Sequence, residues 1–251
     1  MEEPAYFTIR DGANRFTRIA HRFTAGRGPT LVFLPGYMSD MSGSKATAVF
    51  DWAQAQGRAC LLLDYSGCGA SSGDFADGTL TRWRDEVIAL AEATCQGPII
   101  LIGSSMGGWL MLVLALELGT RVAGLVGIAA APDFTQWAFD DAQKDLLARG
   151  ETVSKANAYG PQPTPTYPAF WADAQRLRVL DGRIMLDCPV RLLHGQADRD
   201  VPHEVSLRLA AALHSADVHV TLIKNGDHRL SRDCDIALLL RTVAALAEPT
   251  A

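Results

Sequence analysis

The chain contains one serine in a setting typical of a catalytic nucleophile. Ser105 is the central residue of Gly-x-Ser-x-Gly, with Gly103 and Gly107 two positions away on either side. An apolar run at 99–102 precedes this motif and a long apolar run follows it. A nucleophile elbow has this strand–turn–helix layout, and its flanking residues are small because strand and helix pass close together. Since the neighbouring Ser104 has larger residues at the corresponding places, Ser105 is the candidate nucleophile.

A serine hydroxyl is a weak nucleophile at neutral pH, so it needs a base and an acid that orients the base. His228 lies in a glycine-containing loop between the last predicted strand and the last predicted helix, and we interpret it as the base, with His203 and His194 as alternatives. Asp198 stands in His-Gly-x-x-Asp-x-x-Val-Pro and is the candidate acid, with Asp200 as the alternative. Loops that follow parallel strands meet at one edge of the sheet, where these side chains are expected together.

Two backbone N–H groups are candidates for an oxyanion hole. One belongs to Met106, the residue after the nucleophile, and the other to Tyr37 in the turn Pro-Gly-Tyr-Met at 35–38. The alternative interpretation of the motif at 103–107 is a tight strand–helix turn without chemistry.

The elements that would position these residues alternate along the chain. Strands are predicted at 6–10, 16–23, 30–34, 59–64, 99–102, 124–130, 190–194 and 218–223. Helices are predicted at 44–56, 80–95, 105–118, 203–213 and 232–247. Asp11-Gly12 indicates a hairpin between the first two strands. This alternation predicts a mainly parallel sheet with helices on both faces.

The alternation breaks between 133 and 187, which we interpret as a cap inserted into a core formed by 1–132 and 188–251. The cap is expected to contain helices near 136–149 and 169–179, a proline-rich stretch between them, and no strand of its own. Its aromatic residues are candidates for substrate binding, namely Trp137, Phe139, Tyr167 and Phe170. The alternative is that they only pack the cap onto the core.

Composition and charge exclude several other classes. The chain has 251 residues, 48% hydrophobic and 20% charged, as in ordinary globular proteins. A formal net charge of −5 gives no basic patch, so nucleic acid is not expected as a partner. Residues 93–116 are uncharged, but Pro98 and a glycine–serine cluster interrupt them, so stable membrane insertion is not expected either.

The remaining sequence features concern location and cofactors. The acidic start, Met-Glu-Glu-Pro, shows neither a signal peptide nor an Arg-rich transit peptide, so a cytoplasmic bacterial enzyme is expected. Five cysteines without paired spacing indicate free thiols rather than disulfides or a zinc site. The glycine-rich loop at 65–73 lacks the spacing and the lysine of a phosphate-binding loop. No metal site is predicted.

From end to end the chain resembles the α/β-hydrolase superfamily. The segments that carry this resemblance are 33–39, 64–69, 103–110, 191–195 and 227–229. More narrowly they are similar to those of a group of mitochondrial acyl-protein thioesterases and acyl-glucuronide esterases and their bacterial relatives. The resemblance implies a mostly parallel eight-stranded sheet with a small helical cap inserted after strand 6. It also implies Ser105 as nucleophile, Asp198 as acid, His228 as base, and Tyr37 and Met106 as oxyanion donors.

The activity implied by this resemblance is hydrolysis of acyl esters or thioesters without a cofactor, including protein depalmitoylation. The substrate would be a small acyl ester or an acylated protein. An aminopeptidase or amidase with the same triad is an alternative, because acidic side chains of the cap could hold a substrate ammonium group. A hydrolase-fold protein that binds an apolar ligand without turnover is a further alternative. The sequence does not indicate an oligomeric state.

Overall fold

A computed structural model describes residues 3–10, 16–157 and 160–248. Their strands are β1 Ala5–Arg10, β2 Phe16–Thr24, β3 Arg27–Leu34, β4 Arg58–Leu63, β5 Ile99–Ser104, β6 Val122–Ile128, β7 Val153–Lys155, β8 Thr164–Thr166, β9 Val190–Gly195 and β10 Val218–Ile223. Their α-helices are α1 Ser44–Ala55, α2 Leu80–Thr94, α3 Met106–Leu118, α4 Phe134–Trp137, α5 Asp141–Ala148, α6 Pro168–Arg176, α7 Glu204–Ala212 and α8 Asp233–Ala247. Short 3₁₀ helices lie at Phe75–Asp77 and Gly119–Arg121.

Eight strands form the main sheet, in the order β1-β2-β4-β3-β5-β6-β9-β10. Strand β2 pairs antiparallel with β1 and β4, and the pairs from β4 through β10 are all parallel. The predicted eight-stranded, mostly parallel sheet is confirmed. The hairpin expected at Asp11-Gly12 lies outside the described residues.

Helices cover both faces of this sheet, and the central strands are apolar on both sides for that reason. In β5, Ile99 and Leu101 belong to one core cluster, whereas Ile100 and Ile102 belong to the other. Helices α2, α3 and α7 pack against the first face, and α1 and α8 pack against the second. Helix α3 is buried throughout residues 106–115, so its start is fixed in the middle of the molecule.

The expectation that 133–187 has no strand of its own was wrong. Strands β7 and β8 pair antiparallel, with Ser154 opposite Pro165. Each strand has only three residues and one contains a proline, so neither shows the alternation that identifies a strand in a sequence.

The helix expected near 136–149 is in fact two helices, α4 and α5. The Asp140 carboxylate accepts a hydrogen bond from Gln143 N, and the Gln143 side chain accepts one from Asp140 N. This capping box starts a new helix at Asp141.

The segment after β6 packs onto the core in two different ways. Phe170 and Ala174 of α6 are buried within the main core cluster that contains α2 and α3. Phe139, Leu147 and Val153 form a small cluster of their own. The division of the chain at 133 and 187 stays a prediction. Among the described residues, the helices are too short or too polar for any of them to span a bilayer.

Candidate active site

The turn between β5 and α3 holds Ser105 in a conformation that only close packing maintains. Its backbone has φ 54° and ψ −120°, a region that side chains rarely adopt. A Cβ on Gly103 would lie 2.4 Å from Gly107 O, and a Cβ on Gly107 would lie 2.1 Å from Leu34 O. Glycine is therefore required at both places, which is the physical basis of the Gly-x-Ser-x-Gly spacing.

Two hydrogen bonds connect Ser105, His228 and Asp198. Nδ1 of His228 lies 2.8 Å from Asp198 Oδ2, and Nε2 of His228 lies 3.1 Å from Ser105 Oγ. An ionised carboxylate only accepts hydrogen bonds, so Nδ1 carries the proton and Nε2 is free to accept from the Ser105 hydroxyl. The structure thus brings together the three side chains that the sequence singled out.

The Asp198 carboxylate is buried and receives hydrogen bonds on both oxygens. Oδ1 accepts from the N–H groups of Asp200 and Val201, each at 2.9 Å. Burial raises the pKa of this carboxyl, but the hydrogen bonds from His194 and His228 outweigh it, and the pKa is held well below its usual range. Asp198 is therefore ionised across the neutral range, and the backbone N–H of Asp200 is one of its hydrogen-bond donors.

The two alternative bases lie elsewhere. His194 is fully buried beside Asp198, and its ring nitrogens contact Ser206 Oγ and Val201 O. His203 precedes α7 and lies 3.7 Å from a Glu204 carboxylate oxygen. His228 is the histidine whose ring nitrogen lies within hydrogen-bond distance of Ser105.

The two predicted oxyanion donors belong to elements that end beside Ser105. Met106 is the first residue of α3, and the first four N–H groups of a helix have no acceptor within it. The turn after β3 brings Tyr37 to the same cavity, and a Cβ on Gly36 would lie 3.4 Å from Ser105 Cβ. Met38 in this turn has φ 56°, a strained value of the kind found at functional sites.

A cavity of about 840 Å³ opens beside Ser105 and His228. Trp137 and Phe139 line it, as does Phe134 from α4. Tyr167 and Phe170 do not belong to its lining. Phe170 is 1% exposed and stacks on Phe134 with 5.8 Å between ring centres, because its position on α6 turns it into the core.

The charge of this cavity differs from that of the whole chain. Its lining includes four cationic side chains and two carboxylates, namely Lys45, Lys155, Arg199, Arg229, Asp40 and Asp200. The chain as a whole has a formal net charge of −5. The acidic residues of the cap that the sequence offered for an ammonium group, Asp140, Asp141, Asp145, Glu151 and Asp173, are not part of the lining.

Two side-chain contacts at the site were not foreseen from the sequence. The Tyr37 hydroxyl donates to Pro165 O at 3.0 Å, which ties the turn after β3 to strand β8. Lys45 Nζ donates to Arg229 O, next to His228, and burial together with Arg229 lowers its pKa to about 8. A lysine in the first turn of a helix interacts unfavourably with the helix dipole. This unfavourable placement is the feature of the sequence that could have identified Lys45.

One group of potential metal ligands overlaps this site. Ligand atoms of Asp198, Asp200 and His228 lie within 4.8 Å of one another. Since Asp198 and His228 are hydrogen-bonded to each other, their atoms are already engaged. The five cysteines are free, and Cys60, Cys68 and Cys95 are buried.

Comparison with known proteins gives close relatives over nearly the whole chain. The mitochondrial palmitoyl-protein thioesterase ABHD10 of Mus musculus is 39% identical over 236 residues, which are 92% of this chain and 79% of that protein. The Homo sapiens protein of the same name is 36% identical over 239 residues, 92% of this chain and 76% of that protein. These names place the relatives in mitochondria, and the cytoplasmic location of this chain stays a prediction.

Solved structures agree with the sequence relatives. A protein described as a hydrolase from Agrobacterium vitis S4 superposes with a TM-score of 0.92 at 39% identity, covering 98% of this chain and 99% of that one. Mouse alpha/beta hydrolase domain-containing protein 10 superposes with a TM-score of 0.87 at 36% identity, covering 96% of this chain and 98% of that one. The alpha/beta hydrolase family matches residues 31–239. By fold, sequence and site geometry, this chain belongs to the alpha/beta hydrolase family.

Proposed function

We propose that this protein is a serine hydrolase that cleaves carboxylic esters or thioesters of acyl groups. The observation that carries the proposal is the pair of hydrogen bonds from Ser105 Oγ to His228 and from His228 to Asp198. Thioesters are included because relatives 36–39% identical to this chain are named palmitoyl-protein thioesterases. Protein depalmitoylation is therefore the first physiological reaction to test.

The proposed reaction proceeds through an acyl-enzyme. Ser105 Oγ attacks the acyl carbon while its proton moves to His228 Nε2. The N–H groups of Tyr37 and Met106 stabilise the oxyanion of the tetrahedral intermediate. His228 gives the proton to the leaving alcohol or thiol as the bond to it breaks, and the acyl group remains on Ser105.

Water completes the cycle by the same route. His228 takes a proton from the water, the resulting hydroxide attacks the acyl carbon, and a second tetrahedral intermediate forms. The intermediate collapses as His228 returns the proton to Ser105 Oγ, and the carboxylic acid leaves. Asp198 keeps His228 in the required tautomer throughout and stabilises the imidazolium that forms twice in each cycle.

The shape of the cavity supports an acyl substrate. A volume of about 840 Å³ lies within the range of small-molecule sites, about 300–1,000 Å³. The aromatic side chains of Phe134, Trp137 and Phe139 give part of its wall an apolar surface. A small acyl ester or an acyl chain attached to a protein both fit this description.

An aminopeptidase with the same triad is less well supported. Such an enzyme needs an anionic group beside the bound ammonium, and more cations than carboxylates line this cavity. Asp173 accepts hydrogen bonds from the Thr81 hydroxyl and from Arg176, and Asp140 caps α5. These carboxylates therefore have roles in folding.

The test is a substrate panel with matched serine variants. We compare the turnover of three substrate classes by wild type, Ser105→Ala and Ser104→Ala. The substrates are p-nitrophenyl esters from acetate to palmitate, acyl thioesters of the same chain lengths, and aminoacyl p-nitroanilides. We expect ester and thioester turnover in wild type, and a loss in kcat of about 10⁶-fold in Ser105→Ala, as for other triad serines.

The adjacent variant is the control for the position of the nucleophile. Ser104→Ala is expected to keep most of its turnover, because Ser105 rather than Ser104 bonds to His228. Equal activity of wild type and a folded Ser105→Ala variant would contradict the proposal. Turnover confined to aminoacyl anilides would replace it with the aminopeptidase alternative.

A further inference from the structure

A second histidine lies on the far side of the candidate acid. His194 is the next-to-last residue of β9 and is fully buried. Its Nδ1 lies 2.7 Å from Ser206 Oγ, and its Nε2 lies 3.0 Å from Val201 O and 3.3 Å from Asp198 Oδ2. Both ring nitrogens therefore have polar partners, and the ring is held in one orientation.

These partners determine where the His194 proton lies. A backbone carbonyl accepts hydrogen bonds and never donates, so the proton must be on Nε2, which faces Val201 O. In the neutral ring Nδ1 is then the acceptor, and the buried hydroxyl of Ser206 on α7 donates to it. His194 therefore directs its Nε2–H toward the turn that carries Asp198.

The N–H groups of two imidazoles converge on one carboxylate oxygen. Asp198 Oδ2 accepts from His228 Nδ1 at 2.8 Å, and the same oxygen faces His194 Nε2 at 3.3 Å. The His194 N–H divides between Val201 O and Asp198 Oδ2, and Val201 N donates back to Asp198 Oδ1 at 2.9 Å. His194 is therefore joined to the acid directly and through the 198–201 turn.

We propose that His194 is a positioning residue of the triad. It holds Asp198 in the orientation that His228 needs, and its N–H reduces the negative electrostatic potential of Asp198 at His228. This proposal rests on the proposed hydrolase function of Ser105, His228 and Asp198. His194 does not touch the reacting atoms, because Asp198 and His228 lie between its ring and Ser105 Oγ.

The electrostatic surroundings of Asp198 agree with this role. Within the described ranges, the titratable groups near Asp198 are His194 on β9, His228 in the loop after β10, and Asp200 of its own turn, whose carboxylate lies within 4.8 Å of the Asp198 and His228 ligand atoms. Burial raises the pKa of Asp198, and the hydrogen bonds from His194 and His228 lower it by more. His194 therefore contributes to keeping the acid ionised.

The decisive variant is His194→Phe, which keeps a planar ring and removes both nitrogens. Without the His194 N–H, more of the negative charge of Asp198 acts on His228, so the imidazolium of His228 is stabilised. We expect the acid limb of the kcat/KM profile to move to higher pH by about 0.5 to 1 unit. Looser positioning of Asp198 is expected to lower kcat by up to about 10²-fold.

One normalisation and two further variants separate this role from a merely structural one. Turnover is expressed per site titrated with a fluorophosphonate, so that partial unfolding does not count as lost catalysis. His194→Gln, whose amide can donate toward Val201 O and accept from Ser206, should restore most of the kcat and the wild-type acid limb. His203→Phe, at a histidine that does not contact Asp198, should leave the acid limb in place.

A folded His194→Phe variant with the wild-type acid limb and wild-type kcat per site would overturn the proposal. A measurement on the wild-type protein tests it even if that variant does not fold. In ¹⁵N-histidine NMR spectra at pH 7 the resonances missing from His194→Gln should report a ring that carries a proton on Nε2. A ring protonated on Nδ1 alone would also overturn the proposal. The NMR measurement needs no substrate, so a failure of the His194 proposal can be distinguished from a failure of the proposed hydrolase function.

Discussion

Asp198 is the buried carboxylate on which the proposed chemistry of the site depends. Its oxygens accept two backbone N–H groups and the Nδ1–H of His228, so ionisation is favoured in spite of burial. The ionised carboxylate fixes the proton of His228 on Nδ1 and leaves Nε2 as the acceptor for Ser105. The proposed activation of Ser105 therefore depends on the charge of Asp198.

The amide variant at this position should be nearly inactive although its shape is the same. In Asp198→Asn the side-chain NH₂ can face His228 Nδ1, which favours the tautomer with the proton on Nε2. That tautomer cannot accept the Ser105 proton, so we expect kcat for a p-nitrophenyl ester to fall about 10⁴-fold. Asp200→Asn, at the competing carboxylate, should lose less than about tenfold; a larger loss there would move the acid to Asp200.

The same carboxylate should make the stability of the protein depend on pH. The pKa of Asp198 is depressed in the folded state and is about 3.9 in an unfolded chain. Its contribution is therefore fully present above about pH 5 and is lost as pH falls through about 4 and below, where only the unfolded state binds the proton. In urea unfolding, the stability difference between wild type and Asp198→Asn should shrink between pH 6 and 3. A difference independent of pH would contradict the assigned ionisation.

The site depends on three backbone segments that meet at one point. The end of β3, the end of β5 and the start of α3 approach so closely that Gly107 has no room for a Cβ beside Leu34 O and Pro35 O. This contact sets the turn that carries Tyr37 against the start of the helix that carries Met106. The predicted oxyanion donors are therefore positioned by backbone packing rather than by their own side chains.

Gly107→Ala should disturb both stability and activity. Its Cβ would lie 2.1 Å from Leu34 O and 2.5 Å from Pro35 O, so the turn after β3 must move. We expect a loss of about 3 kcal/mol in the free energy of unfolding, seen as a fall in Tm of about 6–12 °C, together with lower kcat. Gly182→Ala is the control, because nothing lies within 4 Å of its Cβ. Equal Tm values for the two variants would show that the elbow has more room than the structure gives it.

At the scale of the whole molecule, the cavity lies between the core and the segment after β6. The core contributes Ser105 and His228, and α4 with its following turn contributes Phe134, Trp137 and Phe139. The hydrogen bond from Tyr37 to Pro165 O and the aromatic contacts of Tyr37 with Phe134 and Phe170 hold the two parts together. Acyl-chain selectivity should therefore reside in α4 rather than in α6.

Trp137→Leu should weaken the enzyme selectively toward long acyl chains. Trp137 lines the cavity and its Nε1 donates to Pro132 O, so the smaller side chain removes apolar contact area from the wall. We expect kcat/KM for long-chain p-nitrophenyl esters to fall about tenfold, with little change for the acetate. Tyr167→Leu is the matched control, since Tyr167 does not line the cavity. A uniform loss across all chain lengths would argue against an acyl site at Trp137.

Most of the core could be predicted from the sequence because its strands are continuous apolar runs and its helices alternate with them. The nucleophile elbow could be predicted equally well, since the close approach of the backbone at Gly103 and Gly107 requires glycine. The segment after β6 is less predictable. Strands of three residues are too short to show alternation, and the spacing of aromatic residues does not reveal that Phe170 turns into the core while Phe139 reaches the cavity. The contact of His194 with Asp198 depends on a turn whose geometry the sequence does not specify.

The most direct test of the central claim is to locate the covalent adduct of a fluorophosphonate probe by peptide mass spectrometry. We expect one modified residue, Ser105, in the folded wild-type protein and in Ser104→Ala, and no adduct in Ser105→Ala. An adduct on another serine, or a folded wild-type protein that does not react, would contradict Ser105 as the activated nucleophile.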